Sequence, residues 1–368
     1  MIPFLDLKKQ HQQLGFEINE AMLRVLNSGN YILGDEVKSF EEELSSYLNV
    51  GNCIGVSSGL DAIQLIFKGL IELKRLQKGD QVLVPANTYF ASILALINCG
   101  LKPVLVEPNL QTYNICLQDL KNKTTTKTKA ILLVHLYGRS AFSTELIEWI
   151  KDHELIAVDD AAQAFGAKWQ GKYIGSILEA TAFSFFPTKN LGAIGDAGAV
   201  ATNNRDLARA VMALRNYGTS EKNQLTFIGQ NSRLDELQAA VLKVKLKKVE
   251  ELNKRRRSIA KYYSKNLVNN LIILPQKPEV KEEHVWHLYV IRSNNRKDFK
   301  EYLDAAGIET QIHYPMPPHK QAAFKNLGNL KLPITTELHQ EVISLPLDPM
   351  LENEKVERVV DVINEFKL

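Results

Sequence analysis

NCIGVSSGLDAIQLIF, residues 52–67, holds the pattern from which the fold is read. NCIGV is a short β-rich run, SSG is a turn of small residues, and Gly59 to Leu76 follows a helical pattern. The same order recurs along the chain. QVLVP (81–85), KPVLVE (102–107), KAILLVH (129–135), LIAVD (155–159) and ATAFSF (180–185) read as buried strands, with helical stretches such as Ala91 to Cys99 between them. Strand and helix in alternation predict an α/β fold with a doubly wound, mostly parallel sheet. Ligands in such sheets bind beyond the carboxyl ends of the strands.

From Arg233 the pattern changes. Leu234, Leu237, Val241 and Val244 recur at helical spacing, which predicts one long helix running toward Leu267. The strand HLYVIR (287–292), an amphipathic helix from Asp298 and a closing helix from Asn353 follow. This reading divides the chain into a large domain, residues 1–245, and a smaller C-terminal α+β domain, residues 246–368. KNKTTTKTK (121–129) reads as a solvated helix end and turn.

The composition, 45% hydrophobic and 24% charged with a net charge of +3, is that of a soluble globular protein. The net charge gives no general argument for a nucleic-acid partner. The basic residues between Lys243 and Arg257 are interrupted by apolar residues and by Glu250 and Glu251, and read as a solvated helix face. The N-terminal residues show no signal core, and no run of about 18 apolar residues suggests a membrane span. Cys53, Cys99 and Cys116 form no CxxC pair, so neither a zinc site nor a disulfide framework is expected. A cytoplasmic setting follows.

Three segments carry chemistry. In SFFPTKNLGAIGDAGAV (184–200), Lys189 stands just past a strand end beside Gly192, Gly195 and Gly198. A lysine so placed can enter a cleft, and its amine forms Schiff bases when desolvation lowers its pKa. In VDDAAQAFGA (158–167), a strand runs into two acids. Either faces a ligand, where it can pair with a protonated pyridine nitrogen, or caps a following helix. In VSSGLDAIQLIF (56–67), Ser57, Ser58, Gly59 and Leu60 offer a phosphate seat at a helix N-terminus, or simply an ordinary cap.

The chain resembles the DegT/DnrJ/EryC1/StrS group of nucleotide-sugar aminotransferases. IPFLDLKKQH, SGNYILGDEVKSFEEEL, PANTYFAS, VHLYGRSA and DDAAQAFGA carry the resemblance over the first part. FFPTKNLGAIGDAGAV, LRNYGTSEK, NSRLDELQAAVL, HLYVIR, IHYPMPPHKQ and ISLPLDP carry it over the rest. The resemblance implies pyridoxal-phosphate-dependent fold type I, aspartate-aminotransferase-like, with a large mixed, mostly parallel sheet domain. Lys189 would hold pyridoxal 5'-phosphate covalently and then move a proton. Asp160 would pair with the pyridine nitrogen, Gln163 would bond near the phenolic oxygen, and Tyr89 would lie against the ring. Ser184 and the Ser58, Gly59 and Leu60 segment would hold the phosphate. Leu60 departs from the commoner threonine, which removes a hydroxyl contact. Asn231 would reach the phosphate from a neighbouring subunit, implying a homodimer with shared active sites. Tyr31, His313, Tyr314 and His319 are candidate sugar contacts. His135 either packs or lies near the cofactor, and Phe165 reads as core.

The resemblance implies L-glutamate as amino donor and a nucleotide-linked keto sugar as acceptor. KNLGAIGDAGA (189–199) is the form associated with amination at carbon 3 of dTDP-linked 3-keto-6-deoxyhexoses, in the galacto or gluco series. A 4-aminotransferase acting on a 4-keto-6-deoxy sugar is the nearer alternative. A nucleotide-triphosphate-binding protein is the alternative from another class, because GAKWQGKY (166–173) approaches the phosphate-loop pattern with Tyr173 in the hydroxyl position.

Overall fold

The computed structural model describes every residue except Lys222 and Asn223, so the end of LRNYGTSEK lies outside the described residues. Seven strands form the central sheet: β1 (Asn52–Val56), β2 (Gln81–Pro85), β3 (Lys102–Val106), β4 (Thr128–Val134), β5 (Ile156–Asp160), β6 (Ala180–Ser184) and β7 (Gly198–Thr202). Their order is β1-β7-β6-β5-β4-β2-β3. All neighbours pair in parallel except at β7, which is antiparallel to both β1 and β6.

Six of these strands match the β-rich runs read from the sequence to within a residue at each end. The seventh, GAVAT, is hidden in the glycine-rich stretch because small residues carry little β signal. Packing dictates its position. A Cβ on Gly198 would lie 2.5 Å from the Ser58 carbonyl oxygen, so only glycine lets β7 pass the turn after β1.

The period of two along each strand separates two cores. Leu83, Ile131 and Leu133 enter one with Phe40, Leu44 and Phe183. Val82, Val84, Ala130 and Leu132 enter the other with Ile63, Phe67 and Leu96. A further core collects Tyr263, Tyr289, Phe299, Ile343, Val359 and Ile363, and Ile2 joins it from the start of the chain. There β8 (Tyr289–Arg292) pairs antiparallel with β9 (Val342–Leu345).

The single long helix expected after Arg233 is two helices, Glu236–Leu246 and Val249–Asn266, with a turn at Lys247 and Lys248. The break lets Leu242, Leu246 and Val249 pack on the sheet core while Ile259, Ala260 and Tyr263 enter the C-terminal one. The basic residues here are not merely a solvated face. Lys245 is buried and donates to the Gly192 carbonyl at 2.7 Å, and Arg256 is 3% exposed. GAKWQGKY is a two-stranded hairpin, Lys168–Trp169 against Lys172–Tyr173, and not the strand–loop–helix of a phosphate loop. Phe165 is core, stacked on Tyr47 at 5.4 Å between centroids.

Two buried carboxylates tie distant segments together. Glu236 accepts from the backbone N–H groups of Gly34, Glu36 and Val37 at 2.8–3.0 Å, capping the helix Asp35–Leu48. Glu107, just past β3, accepts from the N–H groups of Ile334 and Thr335, each at 2.9 Å, and from the Thr335 hydroxyl. It thereby caps the helix Pro333–Glu341, which leads into β9. Glu107→Ala leaves these donors without an acceptor and should cost about 1–3 kcal/mol of stability. Urea unfolding should show a lower midpoint at unchanged slope.

Candidate active site

The turns at the carboxyl ends of β1, β5 and β6 bring the three sequence-marked segments together, as the sheet topology requires. The two acids that end β5 point to opposite faces. Asp159 is fully buried and structural: its Oδ1 lies 3.0 Å from His135 Nε2, and its Oδ2 accepts from Thr181 Oγ1 at 3.2 Å. His135 Nδ1 accepts from the Ala141 N–H at 2.9 Å, so this histidine is a packing residue. Asp160 faces the cleft side. Its Oδ2 accepts from Ser92 Oγ at 2.7 Å, itself 2.9 Å from Thr88 Oγ1, and its Oδ1 accepts from the Ala162 N–H at 3.1 Å. The segment after Asp160 forms turns, so helix capping is not the reason for either acid.

Burial pushes the Asp160 carboxyl pKa up, against the two hydrogen bonds and the positive charge of Lys189, which pull it down. Burial also lowers the Lys189 amine to about 8, while Asp160 acts in the opposite sense. Lys189 follows a turn in which its N–H bonds the Phe186 carbonyl at 2.8 Å. The next residue, Asn190, anchors that turn by donating to Asn253 Oδ1 at 2.7 Å and meeting His287 Nδ1 at 3.1 Å.

At the end of β1, Ser58 caps the helix Gly59–Glu72 by accepting from the Asp61 N–H at 3.1 Å. Gly59 and Leu60 then carry first-turn amides that have no partner within the helix. A Cβ on Gly59 would lie 2.6 Å from the Ser184 Cβ, so this helix start rests directly on the end of β6. The Asp61 carboxylate beside it is engaged by the Ser57 hydroxyl, by Ser232 Oγ at 2.9 Å and by Gln230 Nε2 at 3.0 Å. The Leu60 side chain packs on the core.

Gln163 Oε1 accepts from the Tyr137 N–H at 2.6 Å, and its Nε2 donates to the Tyr314 hydroxyl at 2.9 Å. The Tyr89 ring is 5.2 Å from that of Tyr314 and is 43% exposed. His313 Nδ1 meets Ser344 Oγ at 2.8 Å; burial and the Lys189 charge lower its pKa to about 4. Sequence reasoning missed Ser92, Tyr137, Asn190 and His287. Ser92 lies in PANTYFAS and His287 opens HLYVIR, but only the folded chain shows what they touch.

His319 and Tyr31 make no contact with this cluster among the described residues, and Asn231 lies beside it, between Gln230 and Ser232. His319 is only 1% exposed, both its ring nitrogens are without a partner among the described residues, and the charge of Lys320 and the buried His339 lie near it. It presents no surface to a sugar here, because the turns after Pro317 fold it inward. Tyr31 is half exposed and its hydroxyl reaches the Leu26 carbonyl at 3.4 Å. Asn231 is exposed, next to the buried Ser232.

Residues 12–364 match the DegT/DnrJ/EryC1/StrS aminotransferase family. The chain belongs to this family. It is 48% identical over 366 residues to a dTDP-3-amino-3,6-dideoxy-alpha-D-galactopyranose transaminase of Aneurinibacillus thermoaerophilus, covering 100% of this chain and 99% of that one. It is 40% identical to a dTDP-3-amino-3,4,6-trideoxy-alpha-D-glucose transaminase of Streptomyces venezuelae, covering 99% and 96%. The crystal structure of S. venezuelae DesV in complex with a ketimine intermediate superposes with a TM-score of 0.94 at 41% identity, covering 99% and 98%. NtdA of Bacillus subtilis, with bound cofactor PMP, superposes with a TM-score of 0.90 at 32% identity, covering 98% and 84%.

The fold is therefore type I of the pyridoxal-phosphate enzymes, and the protein is a pyridoxal-phosphate-dependent aminotransferase. The residues present fit the cofactor. A buried carboxylate short of positive charge suits a protonated pyridine, a desolvated amine suits covalent attachment, and a helix start with free amides suits a phosphate.

The lowered amine sets a pH test on the cofactor-free protein. Labelling of Lys189 by an amine-reactive reagent, followed by peptide mass, should rise with a midpoint near pH 8 rather than near 10.5. Between those values the unfolded chain binds the extra proton, so Lys189 makes stability rise with pH across this window. Lys189→Met should remove that rise, read from urea midpoints on the alkaline side.

Proposed function

We propose that this aminotransferase moves the amino group of L-glutamate to carbon 3 of a dTDP-linked 3-keto-6-deoxyhexose, giving the dTDP-3-amino-3,6-dideoxyhexose. The full-length relationship to the Aneurinibacillus thermoaerophilus transaminase, at 48% identity, carries this reading. KNLGAIGDAGA beside the lysine supports it. A cytoplasmic reaction is part of this reading, and no helix among the described residues is long and apolar enough to cross a membrane.

Bound pyridoxal phosphate supplies an electron-withdrawing ring that stabilises negative charge at the carbon bearing the amino group. Asp160 keeps that ring nitrogen protonated, since its buried carboxylate has most to gain from a cation. Ser58, Gly59, Leu60 and Ser184 would hold the phosphate at the helix start. Gln163, fixed by Tyr137 and Tyr314, would bond near the phenolic oxygen. Tyr89 would cover a ring face. Lys189 would hold the cofactor through its Nζ and would act as the base that takes, and the acid that gives back, the proton at the reacting carbons of substrate and cofactor. A pKa of about 8 leaves both of its protonation states accessible at neutral pH. His313 and Tyr314 line the sugar side.

The active unit in this reading is a homodimer in which Asn231 completes the neighbour's phosphate seat. Exposed Leu225, Phe186 and Ile228 give the surface apolar area suited to burial against a second copy.

Incubation with glutamate and a panel of dTDP-linked 3-keto and 4-keto sugars tests the reading, with the position of the new amine found by mass and NMR. Efficient amination of the 4-keto sugar alone would sink the carbon-3 assignment. Lys189→Ala should lower turnover by at least about 10²–10⁴-fold. Mixing Lys189→Ala with Asn231→Ala subunits should restore activity through the one site free of both changes; a fully active monomer would refute the shared site. Asp160→Asn should weaken cofactor binding, yet leave the cofactor-free protein at least as stable, because a buried charge is removed.

A further inference from the structure

A cavity of about 220 Å³ lies beside the lysine turn, walled by Thr188, Arg256, His287, Glu309, Gln311 and His313 and closed by apolar residues of the N-terminal segment. Arg256 is its unusual feature. It projects from the helix Val249–Asn266 and is 3% exposed, and its Nη1 is buried with no hydrogen-bond partner among the described residues. A buried guanidinium N–H left unpaired is costly, and the cost is recovered when an anion accepts from it.

The surroundings narrow the anion. Lys189 does not line this cavity, but its charge acts on His287 and His313, which do, so a molecule in the cavity lies near the lysine turn. Burial and the neighbouring Lys189, His313 and Arg256 lower the His287 pKa well below the ordinary range, and His313 is lowered to about 4, so two cations, Lys189 and Arg256, stand beside two neutral imidazoles. The opposing acids are Asp348, which Arg256 feels, and Glu309, in the cavity wall. Asp348 is already engaged by the Asp6 and Met350 N–H groups and Gln10, and Glu309 accepts from the Phe4 N–H at 3.1 Å. Neither bonds Arg256. A volume of about 220 Å³ is too small for a nucleoside diphosphate, whereas a carboxylate on a short carbon chain fits both the volume and the one free guanidinium edge.

We infer that Arg256 and this cavity bind a carboxylate of the amino donor, holding the donor's amine toward Lys189. The inference rests on the aminotransferase reading and adds the place where the donor is recognised. It separates the two halves of the reaction, because the keto sugar carries no carboxylate.

The test uses the cofactor-loaded enzyme and follows each half-reaction by absorbance. Arg256→Gln should raise the glutamate concentration needed for half-maximal rate by about 10–100-fold, from loss of a buried charge-assisted bond. The keto-sugar half-reaction, started from the aminated enzyme, should change less than about twofold by the same measure. Arg256→Lys should recover part of the donor affinity. Calorimetry with glutarate, an unreactive dicarboxylate, should show binding to the wild type that glutamate displaces and Arg256→Gln loses. An equal loss in both half-reactions, or a selective loss for dTDP and the sugar, overturns the inference. So does unchanged glutarate binding in Arg256→Gln. Should both arginine variants fail to fold, glutarate that does not compete with glutamate on the wild type overturns it alone. An enzyme inert toward every keto sugar but normal with glutamate would instead count against the proposed acceptor and leave this inference standing.

Discussion

A carboxylate buried short of positive charge governs this molecule. Asp160 sits at the end of a central strand with two hydrogen bonds and the field of one lysine, and burial still raises its pKa. Such a group is a liability in an empty protein and a binding determinant in a loaded one. The neighbouring pieces make sense against it. Ser92 and the Ala162 N–H fix the carboxylate's direction, and the turn after β6 holds Lys189 where burial lowers its amine to about 8. The same desolvation thus unsettles an acid and a base, and a cofactor bearing a protonated ring and a reactive aldehyde answers both.

Adjacent residues have opposite fates because a strand alternates its faces. Asp159 meets His135 and Thr181 on the fully buried face of the sheet. Asp160, one residue on, is left for a ligand. A similar division appears among the cations of the helix Val249–Asn266, where Arg255 is taken up by Asn353 and the Leu351 carbonyl while Arg256 keeps a free edge.

The sheet was legible because buried parallel strands are continuous apolar runs bounded by turn residues, as QVLVP and KAILLVH are. β7 was not, since Gly198, Ala199 and Ala201 are chosen for close approach and not for β propensity. The helix break at Lys247 and Lys248 was illegible too: the apolar period runs through it, and only the presence of two separate cores explains it. Within the site, Lys189, Asp160 and the helix start could be read because each follows a strand end. His319 could not be placed, because a histidine in a proline-rich loop looks the same in sequence whether it turns outward or inward. Arg256 was lost in a basic run whose members differ only in what surrounds them.

Glu107 and the helix it caps lie 227 and 228 residues apart in sequence at their hydrogen-bonded positions. During synthesis the carboxylate leaves the ribosome long before the helix that needs it. Contacts of such separation carry a high closure entropy and form late. The helix Pro333–Glu341 leads into β9, and Ser344 of β9 holds His313. A nascent chain therefore carries Lys189, Asp160 and the helix start at Gly59 well before the residues that hold His313 in place have been added.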